Sequence, residues 1–219
     1  ERAAAFTALG LGLASGRPAV VVTTSGTAAA EVHPAVVEAD LAGVPMLVAT
    51  ANRPPELHDV GAPQTVDQRH LFGRAVRWFA EPGPPTADTV GTWRSLGARA
   101  VAAALDDPAG PGPVHLDLAF REPLVGAPAA LPPGRADGAP WHTAGGSRVA
   151  VERSGTERLA ALLDVDRGVI VAGAGCGEPG AVLALAEATG WPVIADPRSG
   201  CRLPDPRVIT MADAVLRHE

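Results

Sequence analysis

Thr24-Ser25-Gly26-Thr27 follows the β-branched run Ala19–Thr23 and precedes an alanine-rich stretch, so a strand is expected to enter a tight turn and then a helix. Ligands of α/β sheets settle outside the carboxyl ends of strands, at turns of this kind. The N–H groups of Gly26 and Thr27, with the neighbouring hydroxyls, suit the capture of a polar ring or an anion. An ordinary helix N-cap by Thr24 or Ser25 fits the same residues. Ser25 lies outside a GxSxG pattern, which argues against a nucleophile elbow. A second polar loop, Asn52 to Thr65, holds Arg53 and Gln64 among three prolines that stiffen it. A rigidly held arginine suits bidentate capture of a carboxylate, and pairing with Glu56 or Asp59 is the plainer alternative. Gly175-Cys176-Gly177-Glu178-Pro179-Gly180 has the form GxGxxG, but a carboxylate and a proline inside it argue against a dinucleotide fingerprint. The six histidines fall at no metal-ligand spacing. Cys176 and Cys201 match no zinc or disulfide framework and read as small apolar fillers in a reducing compartment.

Composition removes several classes of function. All 18 cationic side chains of the 219 residues are arginine, which excludes a Walker-type phosphate loop, a Schiff-base lysine and a kinase of the usual kind. A formal charge of −6 argues against nucleic-acid binding, which needs a basic face. No apolar run approaches the roughly 20 residues of a membrane-spanning helix.

The elements that must position these residues follow from periodicity. Residues 2–15 are rich in Ala and Leu and end at Ser15-Gly16, where a helix C-cap belongs. Strands are expected at 19–23, 46–51, 75–79 and 113–118, with helices over 28–41, 67–72 and 89–105. That alternation means an α/β domain with a mainly parallel sheet flanked by helices. Residues 126–147 hold five glycines and four prolines without a helical or alternating period, so 126–153 is read as an extended linker. A second α/β unit spans 154–219, with helices 154–163 and 180–189 and strands 168–172, 192–195 and 207–210. So few strands make this unit look cut short.

Four segments taken together carry a resemblance: Glu1-Arg2 with Ala8-Leu9-Gly10-Leu11, Thr24-Ser25-Gly26-Thr27-Ala28, Asn52-Arg53-Pro54-Pro55-Glu56-Leu57 and Gly61-Ala62-Pro63-Gln64. Arg121-Glu122-Pro123-Leu124, Ala195-Asp196-Pro197 and Ser199-Gly200 add to it. In order and spacing these segments resemble the 2-succinyl-5-enolpyruvyl-6-hydroxy-3-cyclohexene-1-carboxylate synthases, a family of thiamine-diphosphate enzymes of menaquinone biosynthesis. Pro63 stands where many relatives have asparagine, and Asn52 where many have aspartate. Acetolactate synthases and related decarboxylases carry Gly-Pro-Gly after Thr-Ser, where this chain has Gly-Thr-Ala. An enzyme of that kind is the first alternative. A non-catalytic α/β nucleotide-binding module built on residues 175–180 is the second.

The resemblance implies a pyrimidine-binding domain over 1–125 and part of a central domain over 154–219. It implies further that the family's N-terminal segment and C-terminal diphosphate-binding domain, with its Gly-Asp-Gly magnesium motif, lie outside this chain. Glu1 is then the catalytic carboxyl, hydrogen-bonded to the pyrimidine ring nitrogen in a weakly polar pocket. Without the resemblance it is a solvated terminal residue. Thr24, Ser25, Gly26 and Thr27 would line the cofactor site, and Arg53 and Gln64 would hold substrate carboxylates. The implied reaction is decarboxylation of 2-oxoglutarate and addition of the succinyl carbanion to isochorismate, with thiamine diphosphate and Mg²⁺. The implied setting is a cytoplasmic homodimer or homotetramer, with the fragment alone inactive.

Overall fold

The computed structural model describes residues 1–127, 130–142 and 151–218. The chain divides into two compact units, Glu1–Ser147 and Arg148–Glu219. Part of the expected 126–153 linker falls outside the described residues; those described from 126 to 142 form turns and bends without helix or strand.

In the first unit, helix α1 (Arg2–Ser15) ends at Gly16, whose left-handed backbone returns its N–H to the Gly12 carbonyl at 2.9 Å. Gly12 lets α1 approach closely: a Cβ there would sit 2.8 Å from the Pro45 carbonyl and the Val44 side chain. Strand β1 (Ala19–Thr23) leads to α2 (Thr27–Glu31) and α3 (His33–Ala42), then β2 (Met46–Asn52). Strand β3 (Trp78–Ala80), helix α4 (Trp93–Leu105) and strand β4 (Pro113–Ala119) complete the unit. All four strands are parallel, in the order β1-β2-β4-β3. Two cores flank this sheet. Val21, Met46 and Val48 pack with Ala5, Val32, Val36, Ala39 and Phe72 on one face. Leu47 and Val114 pack with Ala100 and Ala104 of α4 on the other. The expected α/β architecture with a mainly parallel sheet is present.

Three expectations need correction. The helix foreseen over 28–41 is two helices broken at Val32, because Pro34 cannot donate the N–H that would continue the ladder. Residues 67–72 form successive turns rather than a helix, with Leu71 N–H on Gln68 O at 3.1 Å and Gly73 N–H on His70 O at 2.8 Å. His70 takes a left-handed backbone (φ 53°) that no helix accommodates. The third strand begins at Trp78 instead of residue 75, since residues 72–75 are still turning.

The second unit contains α5 (Arg153–Leu163), β5 (Ile170–Ala172), α6 (Pro179–Thr189), β6 (Val193–Ala195), β7 (Val208–Ile209) and α7 (Ala212–Leu216), a helix the sequence reading missed. Its parallel sheet runs β5-β6-β7 over one small core of Ala172, Ala186, Val193, Ala195 and Cys201. Strand β5 starts two residues later than expected. A Cβ at Gly168 would lie 2.3 Å from the Trp191 ring, so that position serves close approach to the indole.

Candidate functional site

Parallel strands β1, β2 and β4 end side by side, and one sheet face changes character along them. Val21, Met46 and Val48 face the core, whereas Thr23, Thr50, Asn52, His115 and Asp117 follow toward the strand ends as buried polar groups. Thr50 lies in register with Asp117, and Val48 with His115.

Asp117 gathers three donors: Thr50 Oγ1 at 2.9 Å, Gln68 Nε2 at 2.8 Å and Asn52 Nδ2 at 2.7 Å. Thr50 has one hydroxyl proton and gives it to Asp117. It must therefore accept from His115 Nε2, 2.9 Å away, which fixes that proton on Nε2. His115 Nδ1 is buried without a partner, as an unprotonated ring nitrogen among Phe72 and Phe79 would be. Burial pushes the His115 pKa down to about 4, against the opposing charge of Asp117. Gln68 is fully used: Oε1 accepts from Gly26 N–H at 2.8 Å, and Nε2 donates to Ala51 O at 3.0 Å as well as to Asp117. One side chain thus braces the β1 turn, the end of β2 and β4.

The turn after β1 is tied to the loop after β2. Gln64 Nε2 donates to Thr24 Oγ1 at 2.8 Å and to Ser25 O at 3.0 Å, while Ser25 Oγ donates to Gln64 O at 2.9 Å. Ser25 O can only accept, so the amide orientation of Gln64 is settled and both its protons are spent. Only Oε1 remains open. Gly26 has φ 84° and ψ −141°, and a Cβ there would stand 3.1 Å from Gln64 Cγ; turn and loop require glycine. Thr24 and Thr27 are exposed, Ser25 and Gly26 buried. None of the four caps α2 through its side chain.

Arg53 is half-buried just past β2, its N–H on Asn52 Oδ1 at 2.8 Å and its carbonyl accepting from His58 Nε2 at 3.0 Å. Among the described residues no acid pairs with it, and its Nε is buried without a partner. Glu56, the suspected counter-ion, is instead gripped by Arg121 at 2.6 and 3.0 Å, a hydrogen-bonded pair that holds its carboxyl down to about 2. A half-buried guanidinium with an idle donor is a receptor for an anion.

Glu1 is exposed at the start of α1 and makes no side-chain cap. The chain therefore brings together Thr24, Ser25, Gly26 and Gln64, with Arg53 at the next strand end. The sequence reading missed Thr50, Gln68, His115 and Asp117. Their signal was present: polar residues two apart, Thr50 with Asn52 and His115 with Asp117, inside otherwise apolar parallel strands. Among the described residues no group of three or more His, Cys, Asp and Glu side chains could hold a metal. No helix among them is long and apolar enough to cross a membrane.

The braced polar turn lies at the carboxyl edge of a parallel α/β sheet, where folds of this kind take their ligands. Residues 1–71, about a third of the chain, match the family described as thiamine pyrophosphate enzyme, N-terminal TPP binding domain. Over 204 residues it is 50% identical to the 2-succinyl-5-enolpyruvyl-6-hydroxy-3-cyclohexene-1-carboxylate synthase of Thermobifida fusca, covering 92% of this chain and 36% of that protein. The synthase of the same name from Haloquadratum walsbyi is 49% identical over 218 residues, covering 92% and 34%. The chain thus spans about a third of the length of these curated relatives. Its fold is similar to a Mycobacterium smegmatis protein whose X-ray structure is described as that of a thiamin diphosphate-dependent enzyme. The TM-score is 0.69 at 22% identity, covering 94% of this chain and 38% of the other. These likenesses do not favour the acetolactate-synthase-like or nucleotide-module alternatives. The 175–180 segment does lie between β5 and α6, but Glu178 occupies the helix N-cap, where an anion would have to sit.

Proposed function

We propose that the complete protein is a thiamine-diphosphate-dependent carboligase that decarboxylates 2-oxoglutarate and joins the succinyl unit to isochorismate. The product would be 2-succinyl-5-enolpyruvyl-6-hydroxy-3-cyclohexene-1-carboxylate, for menaquinone biosynthesis. The observation that carries this reading is the 49–50% identity to two synthases of that name over 92% of the chain. Residues 1–125 serve as the pyrimidine-binding domain and 154–219 as part of the central domain, joined by 126–153. The residues present fit such a cofactor and its substrates: two exposed threonines on a braced turn, and orphaned buried polar atoms, Thr23 Oγ1 and Arg53 Nε, at adjacent strand ends.

When bound, thiamine diphosphate would supply the electron sink for breaking and making the carbon–carbon bonds, with Mg²⁺ expected on the family's diphosphate-binding domain. Thr24–Thr27 would line the pyrimidine, and the Glu1 carboxyl would hold a proton toward the pyrimidine ring nitrogen. The proposed setting is a cytoplasmic homodimer or homotetramer. Arg53 takes a substrate carboxylate. Gln64, its amide protons committed to the turn, offers Oε1 to a substrate hydroxyl while it positions Thr24 and Ser25.

The test is to assay the complete protein with both substrates, the cofactor and Mg²⁺, and to identify the product by mass. Glu1→Gln is expected to lower kcat on the order of 10²–10⁴-fold. Arg53→Ala is expected to raise the KM for 2-oxoglutarate by about tenfold or more, the worth of one charge-assisted contact. Normal turnover in Glu1→Gln overturns the assignment.

A further inference from the structure

The two cysteines, 25 residues apart in sequence, meet in space. Cys176 Sγ lies 3.8 Å from Cys201 Sγ, and both thiols lean on one acceptor, the Ser199 carbonyl, at 3.4 and 3.7 Å. Their surroundings are unequal. Cys201 is fully buried in the core under β5 and β6, and its N–H is pinned to Ser199 Oγ at 3.1 Å. Cys176 is exposed. It stands between Gly175 (φ 76°) and Gly177 (φ 95°), where an added Cβ would meet nothing within 4 Å. A disulfide needs about 2.05 Å between sulfurs, so the pair has to close by roughly 1.8 Å. The glycine-flanked loop has free space in which to move.

We propose that Cys176 and Cys201 are a redox-closable pair: an exposed attacking thiol and a buried resolving thiol that form an intramolecular disulfide with a low-molecular-weight disulfide such as oxidised glutathione. In the first exchange the Cys176 sulfur bonds to one glutathione sulfur and the reagent's S–S bond breaks, releasing one glutathione. In the second, Cys201 bonds to the Cys176 sulfur and displaces the other glutathione. The two thiol protons pass to the two released thiolates. Two protein thiols are oxidised and one external disulfide is reduced. Desolvation and the contact with Cys201 push the Cys176 thiol upward, so its thiolate is scarce near neutrality and the first exchange is the slow one. The second is intramolecular. Closure joins the loop after β5 to the loop after β6, whose residues Ala174, Asp196, Arg198 and Arg202 border a cleft of about 410 Å³.

The experiment incubates the reduced full chain with oxidised glutathione under native conditions. It then reads intact mass, thiols titratable after denaturation, and linkage by peptide mapping. Expected are the loss of two hydrogens in mass, no remaining thiol, a Cys176–Cys201 cross-linked peptide, and full reversal by dithiothreitol. Cys201→Ala is expected to stop at a stable glutathione adduct on Cys176. Cys176→Ser is expected to leave Cys201 unmodified while the chain stays folded. A lasting adduct on Cys176 in the wild-type chain, two thiols still free at equilibrium, or chains linked to one another would each overturn the proposal. The wild-type measurement decides the matter even if a variant fails to fold.

Discussion

At the scale of single residues, Gln68 braces three elements at once. It satisfies the Gly26 amide, the Ala51 carbonyl and the Asp117 carboxylate together. Gln68→Ala strands a buried N–H and removes a donor from a buried carboxylate, so the chain should lose roughly 3 kcal/mol in denaturant unfolding. Gln68→Glu should not restore it, because its second oxygen would face Asp117 and the Ala51 carbonyl, both acceptors. His115 gives a pH signature. Its pKa is 6.5 in an unfolded chain and about 4 when folded. Between those values the unfolded state binds the extra proton, so stability rises with pH there. The contribution is complete above pH 6.5 and is lost as pH falls through 4. The difference in unfolding free energy between the native chain and His115→Gln should therefore narrow by about 3 kcal/mol from pH 7 to pH 4. A constant difference would show that His115 is not held neutral.

At the scale of elements, the connection between α3 and the entry to β4 rests on Arg77. Its guanidinium, largely buried, pairs with Asp40 and donates to the Gly110 and Pro111 carbonyls at 2.9 and 3.0 Å. Gly112 leaves room for it, since a Cβ there would stand 2.5 Å from Arg77 Cζ. Arg77→Met keeps the aliphatic bulk but abandons Asp40 and two carbonyls, and should cost about 2–3 kcal/mol, read by thermal or urea unfolding. Elements dictated by local pattern were legible in the sequence. The strands at 19–23, 46–52 and 113–119 are short, largely apolar runs between turn signals, and each is observed within one residue of its expected limits. Elements decided by tertiary contact were not. Residues 67–72 have helical spacing, yet burying the Gln68 amide among β1, β2 and β4 outweighs that propensity. The site was legible in the same uneven way. Thr24–Thr27, Arg53 and Gln64 stood in loops with a recognisable order, whereas the Thr50–His115–Asp117 chain exists only because two strands 65 residues apart pair in register.

At the scale of the whole molecule the two units differ in how well they bury their apolar surface. Among the described residues the four-stranded sheet has a core on each face, though Val20 and Val22 of β1 stay exposed, whereas the three-stranded sheet has one small cluster and its unit leaves Val169, Val171, Leu159 and Leu162 exposed. Fewer buried contacts mean cheaper local opening. Amides of β5, β6 and β7 should exchange with deuterium well before those of β2 and β4, by at least tenfold in rate, when followed by mass spectrometry. Equal protection in both sheets would contradict this account.

The strand order β1-β2-β4-β3 also has a bearing on synthesis. The last strand of the first unit to leave the ribosome takes an interior position, between two strands made earlier. Until residues 113–119 emerge, β2 exposes a naked edge and β3 has no neighbour to pair with. A nascent chain paused after β2 has emerged but before residues 113–119 have done so therefore displays an open, apolar strand edge of the kind that holding chaperones capture.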